Sequence, residues 1–452
     1  MPLFAPATLA TITSGHWTVT PARPLTAFSH DTRLLRPNDI FVALRTPARD
    51  GHAYLPAAQT AGAAAAIVSR ANPTLATTLP QLIVPDPLAA FQQIAAAHRA
   101  AFQATGGIVI GISGSAGKTS TKELLALILS RAFGAERVLA TEGNLNNHIG
   151  VPLTLTRLEL DPTPRAPNAQ HRYAIIEAGI SAPGEMEPLA AMISPDHAII
   201  TTIAPAHAQN FENLDAIARE KSILLRHVRE NGARLFPATC LDYPAFRDLP
   251  AATPIAPIEK VGKSLGFAFG SRSLAMHRNA RLVTELALRL GAPPDQIQIA
   301  LDSWTPAKWR GEVTRDAAGR LFYLDFYNAN PASMRDALDT FDRVAPRALP
   351  RLYVLGCMEE LGPDSARHHR ELGVSLKLRP QDEAIFIGDH APDIAAGVAD
   401  TSAKITIAAT TAEIAARVAT FQGAIFLKAS RRYALEKTLP PDLAVTAKEA
   451  HA

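Results

Sequence analysis

A glycine-rich segment with a lysine and a threonine constrains this chain more than any other part of its sequence. The segment Gly111–Thr119 reads Gly-Ile-Ser-Gly-Ser-Ala-Gly-Lys-Thr, follows the apolar run 108–110 and opens a helical pattern over 119–133. A strand, a glycine-rich loop and a helix in this order form the context of a phosphate-binding loop. Glycines let successive backbone N–H groups face one anion, and the helix N-terminus adds partial positive charge. The sequence therefore predicts an α/β domain that binds a phosphate group here.

Each residue type in this loop has a chemical use. We expect Lys118 to be exposed in a cleft and to reach the β- and γ-phosphates of a nucleotide, and Thr119 to bind Mg²⁺. The spacing departs from the standard loop, because Ile112 stands where its first glycine is usual. A chance Gly-Lys-Thr is the alternative, but the flanking strand and helix patterns favour the nucleotide interpretation. The predicted nucleotide-binding residues of the loop are Gly114, Ser115, Ala116, Gly117, Lys118, Thr119 and Ser120.

The length of the chain predicts several domains, because 452 residues exceed what one hydrophobic core usually supports. Three blocks are distinguished, 1–95, 96–311 and 312–452, and the last alternates strand and helix patterns. Such alternation is typical of a parallel sheet with crossover helices, so the predicted fold class is α/β. The strand candidates are 39–44, 64–68, 173–177, 198–203, 321–326, 352–355, 384–387, 405–408 and 424–427.

Net charge, cysteine content and the distribution of apolar residues limit the classes of function that this chain can have. The net charge of +3 without a basic run among aromatic residues argues against a nucleic-acid partner. Two distant cysteines, Cys240 and Cys357, form neither a disulfide framework nor a zinc site. The N-terminus lacks a signal-peptide pattern, and no apolar run approaches the roughly 20 residues that cross a bilayer. We therefore expect a cytoplasmic protein without a membrane span.

Further polar residues follow the strand candidates, where chemistry concentrates in parallel sheets. Glu177 ends one candidate, and His207 follows the next by four residues. Asn144, Asn146 and Asn147 lie in a polar loop that leads into an apolar segment. Taken singly, a solvated glutamate and a structural histidine are ordinary explanations. Behind a phosphate loop, however, the glutamate and the histidine together offer oxygen and nitrogen ligands for Mg²⁺ or its bound waters.

With these motifs, the sequence resembles the Mur ligases, the ATP-dependent amide-forming enzymes of peptidoglycan synthesis. The resemblance extends over almost the whole chain. Two segments, Tyr327–Pro331 and His368–Glu371, point to the member that adds D-alanyl-D-alanine to UDP-N-acetylmuramoyl-tripeptide. The other matching segments are the phosphate loop, Asp31–Arg33, Pro37–Leu44, Asp50–His52, Gly143–Pro152, Glu177–Gly179, Ala206–His207, Ala218–Ser222, Arg310–Glu312, Glu360–Gly362 and Lys428–Arg431.

The resemblance implies a three-domain Mur ligase architecture. Residues 1–95 would bind the UDP-sugar, 96–311 would form a central ATPase domain with a parallel sheet, and 312–452 a Rossmann-like ligase domain. The central domain is expected to be trimmed, and residues 236–272 are expected to form an irregular loop region. Ala275 and Cys357 depart from the family pattern, which has a histidine and an aspartate there.

The implied reaction runs through an acyl phosphate. A substrate carboxylate attacks the γ-phosphate of ATP, an amine then attacks the new carbonyl, and phosphate leaves. Phosphoryl transfer needs mainly positioning and charge neutralisation. By resemblance, Lys118 binds the phosphates, Thr119 and Glu177 help to hold one Mg²⁺, and His207 serves a second metal site.

Lys221 matches a lysine that is carbamylated in the family. An ammonium group cannot bind Mg²⁺, whereas a carbamate has two acceptor oxygens. Taken alone, however, the residue is explained more simply as a solvated helix lysine. The implied cofactors are ATP and two Mg²⁺ ions, with a carbamylated Lys221 as a hypothesis.

The resemblance also assigns residues outside the phosphate loop. Asn330, in the matching segment Tyr327–Pro331, is not assigned to the nucleotide, because we expect it to cap a helix with Pro331 in the first turn. The implied nucleotide residues are Asn279, Arg310, Asp325 and Asn328, and the implied substrate residues are Asp31, Thr32, Arg33, Asn144, Asn147, Lys428, Ser430 and Arg431.

Two other functions stay open at this point. One is an amide ligase acting on a different acid and amine, against which the intact segment Asp31–Arg33 argues. The other is an inactive homologue that binds nucleotide or cell-wall precursors, against which the presence of Lys118, Glu177 and Lys221 argues. A monomer is expected. The third residue of the peptide substrate is not determined by the sequence.

Overall fold

The fold is seen in a computed structural model, which describes residues 4–160, 171–250, 252–255, 263–264, 266–399 and 402–445. Three main sheets follow one another along the chain, and each falls within one of the three predicted blocks. The exact domain boundaries stay predictions, since the helix over 87–104 crosses the first of them. None of the described helices has the length and apolarity to span a membrane.

The first sheet has five strands, with helices packed against it. Its strands are β1 His16–Trp17, β2 Ala27–Ser29, β3 Asp39–Val42, β6 Ala65–Val68 and β7 Gln81–Ile83, beside a hairpin of β4 Arg45–Thr46 and β5 Arg49–Asp50. The helices are α1 Pro6–Thr13, α2 Leu55–Thr60 and α3 Pro87–Ala104. The order is β1-β7-β6-β3-β2, and only β1 runs antiparallel to its neighbour.

The second sheet has six parallel strands in the order β13-β12-β11-β8-β10-β9. These are β8 Ile108–Ser113, β9 Val138–Ala140, β10 Tyr173–Glu177, β11 His197–Ile200, β12 Arg234–Pro237 and β13 Ala252–Ile255, beside a hairpin of β14 Lys263–Ser264 and β15 Phe267–Ala268. The helices are α4 Lys118–Phe133, α5 Gly150–Leu155, α6 Met186–Ile193, α7 Leu214–Arg226, α8 Pro244–Arg247, α9 Leu274–Arg289 and α10 Pro294–Ser303.

The third sheet has six strands in the order β16-β17-β21-β18-β19-β20, and only β16 is antiparallel. These are β16 Glu312–Arg315, β17 Leu321–Asp325, β18 Arg351–Gly356, β19 Glu383–Ile387, β20 Lys404–Ala408 and β21 Ala424–Lys428. The helices are α11 Pro331–Val344, α12 Ser365–Ser375, α13 Ala391–Gly397, α14 Thr411–Thr420 and α15 Pro441–Val445.

Strand β8 places the phosphate loop at the middle of the second sheet. Helices cover both faces, so the strand is apolar and buried along nearly its whole length rather than alternating. Its neighbours β10 and β11 end at the same edge, where Glu177 closes β10. All nine strand candidates correspond to strands, although the one at 198–203 ends earlier, at Ile200.

The expectation of an irregular region at 236–272 was wrong for its described part. Strand β13 pairs in parallel with β12 and extends the sheet, and α8 lies between them in the chain. Pro254 lies within β13, which is an edge strand, where a missing N–H donor is tolerated. That proline gave the segment its loop-like appearance in the sequence.

Candidate active site

The phosphate loop has a backbone that requires its glycines. Gly114 has φ +141° and Gly117 has φ +79°, both in the region that favours glycine. A Cβ at Gly114 would lie 2.0 Å from Thr201 Oγ1, and one at Gly117 would lie 2.5 Å from Asn279 Nδ2. Close packing from two neighbouring segments therefore holds the turn between β8 and α4.

The segment after β11 anchors the loop. Thr201 Oγ1 donates to the carbonyl of Ala116 at 2.5 Å. Ser115 Oγ donates to the Ala204 carbonyl at 2.8 Å and accepts from the Ala204 N–H at 2.9 Å. The Ser115 N–H donates to the Thr202 carbonyl at 2.8 Å. Ser115, predicted to bind nucleotide, thus uses its hydroxyl and its N–H to shape the loop.

Lys118 lies across the loop rather than standing free. Its Nζ donates to the carbonyl of Gly114 at 2.8 Å, and its side chain is partly buried. Lys118 lines the main cavity, as expected of a residue in a cleft, but its ammonium is held by its own loop. Burial lowers the pKa of Lys118, Glu177 raises it, and Arg310 lowers it further. A carboxylate and a guanidinium thus lie close enough to act on the same ammonium.

Glu177 is held between two donors at the end of β10. Thr119 Oγ1 donates to Glu177 Oε2 at 3.0 Å, and Asn146 Nδ2 donates to Glu177 Oε1 at 2.8 Å. The Glu177 N–H donates to Thr141 Oγ1 at 3.0 Å. Only 1% of Glu177 is exposed, and a carboxylate buried this deeply needs such partners. Thr119 and Glu177 therefore present a hydroxyl and a carboxylate side by side.

The loop that contains Asn144 and Asn147 both stabilises the local fold and lines the candidate site. Asn147 Oδ1 accepts from the N–H groups of Ile149 and Gly150 at 3.1 and 2.8 Å, which holds the first turn of α5. Asn144 and Asn147 both line the main cavity described below. The predicted contact of Asn147 with substrate therefore coexists with a local structural role.

Lys221 lies on α7 and is 2% exposed, so its interpretation as a solvated helix lysine was wrong. Burial holds the pKa of Lys221 well below its usual value, and Lys118 lowers it further while Glu220 raises it. Burial also lowers the pKa of His207, whereas Glu360 raises it. The charges of Lys118 and Lys221 act on this same imidazole.

The donor set fits one Mg²⁺ better than two. Mg²⁺ is usually bound through one or two carboxylates together with substrate phosphates, and Thr119 and Glu177 suit that mode. Within the described ranges, no group of three or more His, Cys, Asp or Glu residues could hold a metal ion. The ammonium form of Lys221 does not fit, because it would repel a cation.

A cavity of about 1440 Å³ lies between the central and C-terminal domains. Most of the predicted residues from both domains line it. Within the part of the chain that the structure describes, the predicted residues that do not line it are Gly114, Lys221, Ser430, Arg431 and the N-terminal trio 31–33. The predicted residues that line it are Ser115, Ala116, Gly117, Lys118, Thr119, Ser120, Asn144, Asn147, Glu177, His207, Asn279, Arg310, Asp325, Asn328 and Lys428.

On the C-terminal side, Asp325 forms an ion pair with Lys428. Lys428 Nζ donates to Asp325 Oδ2 at 2.7 Å and to the carbonyls of Asn328 and Asp325 at 3.2 and 3.5 Å. These bonds use all three N–H donors of the ammonium. The Lys428 ammonium is therefore held in a buried ion pair, and its expected contact with substrate stays a prediction. Burial raises the pKa of Asp325, while Lys428 and Arg310 lower it.

Two other predicted substrate residues lie apart from this cavity. Arg431 pairs with Glu436 at 2.6 Å and lies 5.1 Å from the ring centroid of Trp309. Ser430 donates its N–H to the Cys357 carbonyl at 3.4 Å. Both residues thus stabilise the segment after β21, and the structure does not bring them to the phosphate loop.

Arg310 and Asn330 approach the phosphate loop from the junction. The Arg310 guanidinium lies 3.9 Å from the ring centroid of Tyr327. Asn330 is the N-cap of α11 in a capping box with Ser333, which confirms the predicted cap. In addition, Asn330 Nδ2 donates to the Ser115 carbonyl at 3.3 Å. A cap of the C-terminal domain therefore contacts the loop of the central domain.

The N-terminal trio forms a local ion pair. Arg33 binds Asp31 at 2.6 Å while its own side chain is 86% exposed. The hydrogen bonds from Arg33 are the main cause that lowers the pKa of Asp31 to about 2. Thr32 lies between them on the loop after β2. Their predicted contact with a UDP-sugar stays a prediction.

Comparison with known proteins agrees with this geometry. Residues 112–266 match the Mur ligase middle domain, and residues 309–431 match the Mur ligase glutamate ligase domain. Together the matches cover more than half of the chain. The chain belongs to the Mur ligase family.

Named relatives support this placement. The UDP-N-acetylmuramoyl-tripeptide–D-alanyl-D-alanine ligase of Escherichia coli is 32% identical, covering 84% of this chain and 87% of the relative. The ligase of the same name from Synechocystis is 33% identical, covering 81% and 80%. A crystal structure of MurF from Acinetobacter baumannii superposes with a TM-score of 0.80 at 27% identity, covering 97% of this chain and 98% of that one. The predicted α/β Mur ligase fold is confirmed.

Three residues of this Mur ligase site escaped sequence reasoning as site residues. Thr201 and Asn146 lie beside the phosphate loop and Glu177, and Glu360 reaches His207 from the C-terminal domain. Asn146 had a signal, since it lies between two predicted asparagines. Glu360 also had a signal, since the segment Glu360–Gly362 is among those that carry the family resemblance. Thr201 had none, because its partner Ala116 is 85 residues away in the chain.

Proposed function

We propose that this Mur ligase joins D-alanyl-D-alanine to UDP-N-acetylmuramoyl-tripeptide at the expense of ATP. The observation that carries the proposal is the position of the phosphate loop, with Thr119 and Glu177 side by side, on a cavity shared by two domains. Relatives that carry the name of this activity match over about four fifths of the chain and support the choice of substrates.

The phosphate end of ATP would lie against the N-terminus of α4. Lys118 is close to Gly114 and would turn from the loop carbonyl to the γ-phosphate, whose charge it would neutralise. Arg310 adds a second cation at the junction. Thr119 and Glu177 would hold Mg²⁺, which neutralises phosphate charge when bound. The loop thereby prepares the γ-phosphorus for attack by a carboxylate oxygen.

The base and ribose would occupy the part of the cavity near Asn279, Asp325 and Asn328. Asn279 lies against Gly117, which places it next to the phosphate loop. Asp325 uses Oδ2 for Lys428, which leaves Oδ1 as an acceptor for a ribose hydroxyl. The exposed Asn328 lines the same wall.

Two chemical steps follow from this arrangement. The carboxylate of the tripeptide forms a bond to the γ-phosphorus while the bond to the ADP oxygen breaks, which gives an acyl phosphate. The amine of the dipeptide then adds to the acyl carbon, loses a proton and expels phosphate. An acyl phosphate hydrolyses in water, so a cavity covered by a second domain favours ligation over hydrolysis.

The proposal includes a carbamate on Lys221. Only a neutral amine attacks carbon dioxide, and burial favours the neutral form of Lys221. The reaction joins the amine nitrogen to the carbon of carbon dioxide and releases one proton. The product is an anion near Lys118 and His207, and it would remove the repulsion between the two ammonium groups. Such an anion would help to hold a second Mg²⁺ beside His207.

We also propose that the UDP moiety contacts the loop at 31–33, and that the enzyme acts as a monomer in the cytoplasm, where ATP and UDP-linked precursors are found.

The test of the ligase activity measures phosphate release from ATP with UDP-muramoyl-tripeptide and D-alanyl-D-alanine, omitting each in turn. Release that requires all three, with formation of the pentapeptide product, is the expected result. Equal release with an unrelated acid or amine would contradict the choice of substrates.

A further inference from the structure

Two turns meet at the junction between the central and C-terminal domains. His207, at φ +54°, precedes the 3-10 turn Ala208–Asn210, and Glu360, at φ +62°, lies just before the 3-10 turn Gly362–Asp364. The His207 Nδ1 and Glu360 Oε2 atoms are joined by a hydrogen bond. Backbone contact supports this pairing, since the N–H of Gln209 donates to the Glu360 carbonyl at 3.1 Å.

Both residues of the pair hold a left-handed backbone that is uncommon outside glycine. Such conformations persist only where the surroundings hold them, and they concentrate at functional positions. Gly362 shows how closely the two turns approach. It has φ +66°, and a Cβ there would lie 2.8 Å from Gln209 Cα. The docking of the two domains therefore leaves no space for a side chain at this point.

The hydrogen bond decides which nitrogen of His207 carries the proton. In a neutral imidazole one nitrogen donates and the other accepts. Glu360 accepts at Nδ1, so this nitrogen carries the hydrogen, and Nε2 is left as an acceptor. His207 lines the main cavity, where the charges of Lys118 and Lys221 lower the pKa of its imidazole. Glu360 lines a smaller neighbouring cavity of about 210 Å³.

We propose that Glu360 is a positioning residue, which sets the tautomer and direction of the His207 imidazole across the domain junction. The inference rests on the proposed function. The pair is half-exposed, with 32% of the His207 and 48% of the Glu360 side chain accessible, so its contribution to stability is small. Its effect is on orientation. Because the two residues belong to different domains, the imidazole is set for the phosphate site only when the domains are docked.

The first arm of the test compares variants of two adjacent glutamates. Glu360→Ala should lower kcat by about 10- to 100-fold, the usual effect of losing a carboxylate that orients a histidine, with little change in the KM for ATP. Glu360→Gln can still accept from Nδ1 and should retain most activity. Glu359→Gln is the matched control, because Glu359 accepts from the Tyr433 hydroxyl at 2.9 Å and lies in the same turn. It should leave kcat unchanged.

The second arm measures the histidine itself, at a pH where it is neutral. Nitrogen-15 NMR of histidine-labelled protein, with His207 assigned by a His207→Gln variant, should show hydrogen on Nδ1 in the wild type. In Glu360→Ala the two tautomers should mix. A double variant with His207→Ala should lose no more activity than His207→Ala alone, because Glu360 acts through His207.

An unchanged tautomer in Glu360→Ala, an additive loss in the double variant or an equal loss in Glu359→Gln would overturn the inference. Failure of the proposed function would look different. Wild-type protein would then release no phosphate with the two substrates, while the NMR comparison of wild type and Glu360→Ala would still report on the pair.

Discussion

The Thr119 hydroxyl donates to Glu177 Oε2 at 3.0 Å, which joins the first turn of α4 to the end of β10. Asn146 occupies the other carboxylate oxygen at 2.8 Å. The two ligands expected for Mg²⁺ are thus held in contact by the protein itself. Preorganisation of this kind lowers the cost of arranging charge around a transferring phosphoryl group.

Glu177→Gln should therefore lower the stability of the protein as well as remove a negative charge from the site. A carboxylate accepts from both Thr119 and Asn146, whereas an amide that accepts from Asn146 turns its N–H₂ group to the Thr119 hydroxyl, whose proton then loses its acceptor. We expect unfolding free energy to fall by about 1–3 kcal/mol, the cost of an unsatisfied buried group. Denaturation in urea measures this, and electron paramagnetic resonance with Mn²⁺ in place of Mg²⁺ should show weaker metal binding. Unchanged Mn²⁺ affinity would argue against a ligand role for Glu177.

Lys118→Ala should abolish measurable ligation, with a loss of at least about two orders of magnitude in kcat, as for other preorganised charge-stabilising donors. The fold should persist, because Lys118 makes one hydrogen bond, to its own loop. Phosphate release and circular dichroism check both parts. Lys437→Ala, at an exposed position outside the cavity, is the control. Near wild-type turnover in Lys118→Ala would refute the assigned role.

Lys221→Ala should have little activity and should be partly rescued by acetate or formate. The reason is that a small carboxylate can occupy the place of the carbamate, while the alanine side chain leaves room for it. The measurement is phosphate release as a function of added carboxylate. Lys118→Ala should show no rescue, since its missing group is a cation. Full activity of Lys221→Ala without additives would contradict the carbamate hypothesis.

Ligands should favour the docked arrangement of the central and C-terminal domains. The cavity takes residues from both, and Asn330 reaches the phosphate loop only when they are together. We expect the hinge of this movement near Arg310–Glu312, where Gly311 has φ +83°. Small-angle scattering should show a smaller radius of gyration with an ATP analogue and the acid substrate bound together. An unchanged radius at saturation would contradict this prediction.

Both cysteines should be unreactive in the folded protein. Burial raises the pKa of Cys240 to about 12 and that of Cys357 to about 11. A raised thiol pKa means that the reactive thiolate is scarce at every pH below that value. We expect no labelling by a thiol reagent at pH 8, and two thiols labelled in guanidinium chloride. Rapid labelling of the native protein would show that one of these sites is open.

The local patterns of the sequence determined the fold class and the position of the phosphate loop. Apolar runs with flanking turn residues predicted the strands, and glycines at Gly114 and Gly117 marked the tight turn, because backbone sterics are a local property. The cap at Asn330 was predictable for the same reason, since its partner Ser333 lies three residues away.

Tertiary structure alone decided which polar groups are free to act. The Lys428 ammonium is held by Asp325, and the Ser115 hydroxyl anchors its own loop, which no local pattern in the sequence indicates. Glu360 and His207 form a hydrogen bond although 153 residues separate them in the sequence. The physical reason is that a hydrogen bond depends on distance in space, whereas sequence periodicity describes only which face of a helix or strand a residue occupies.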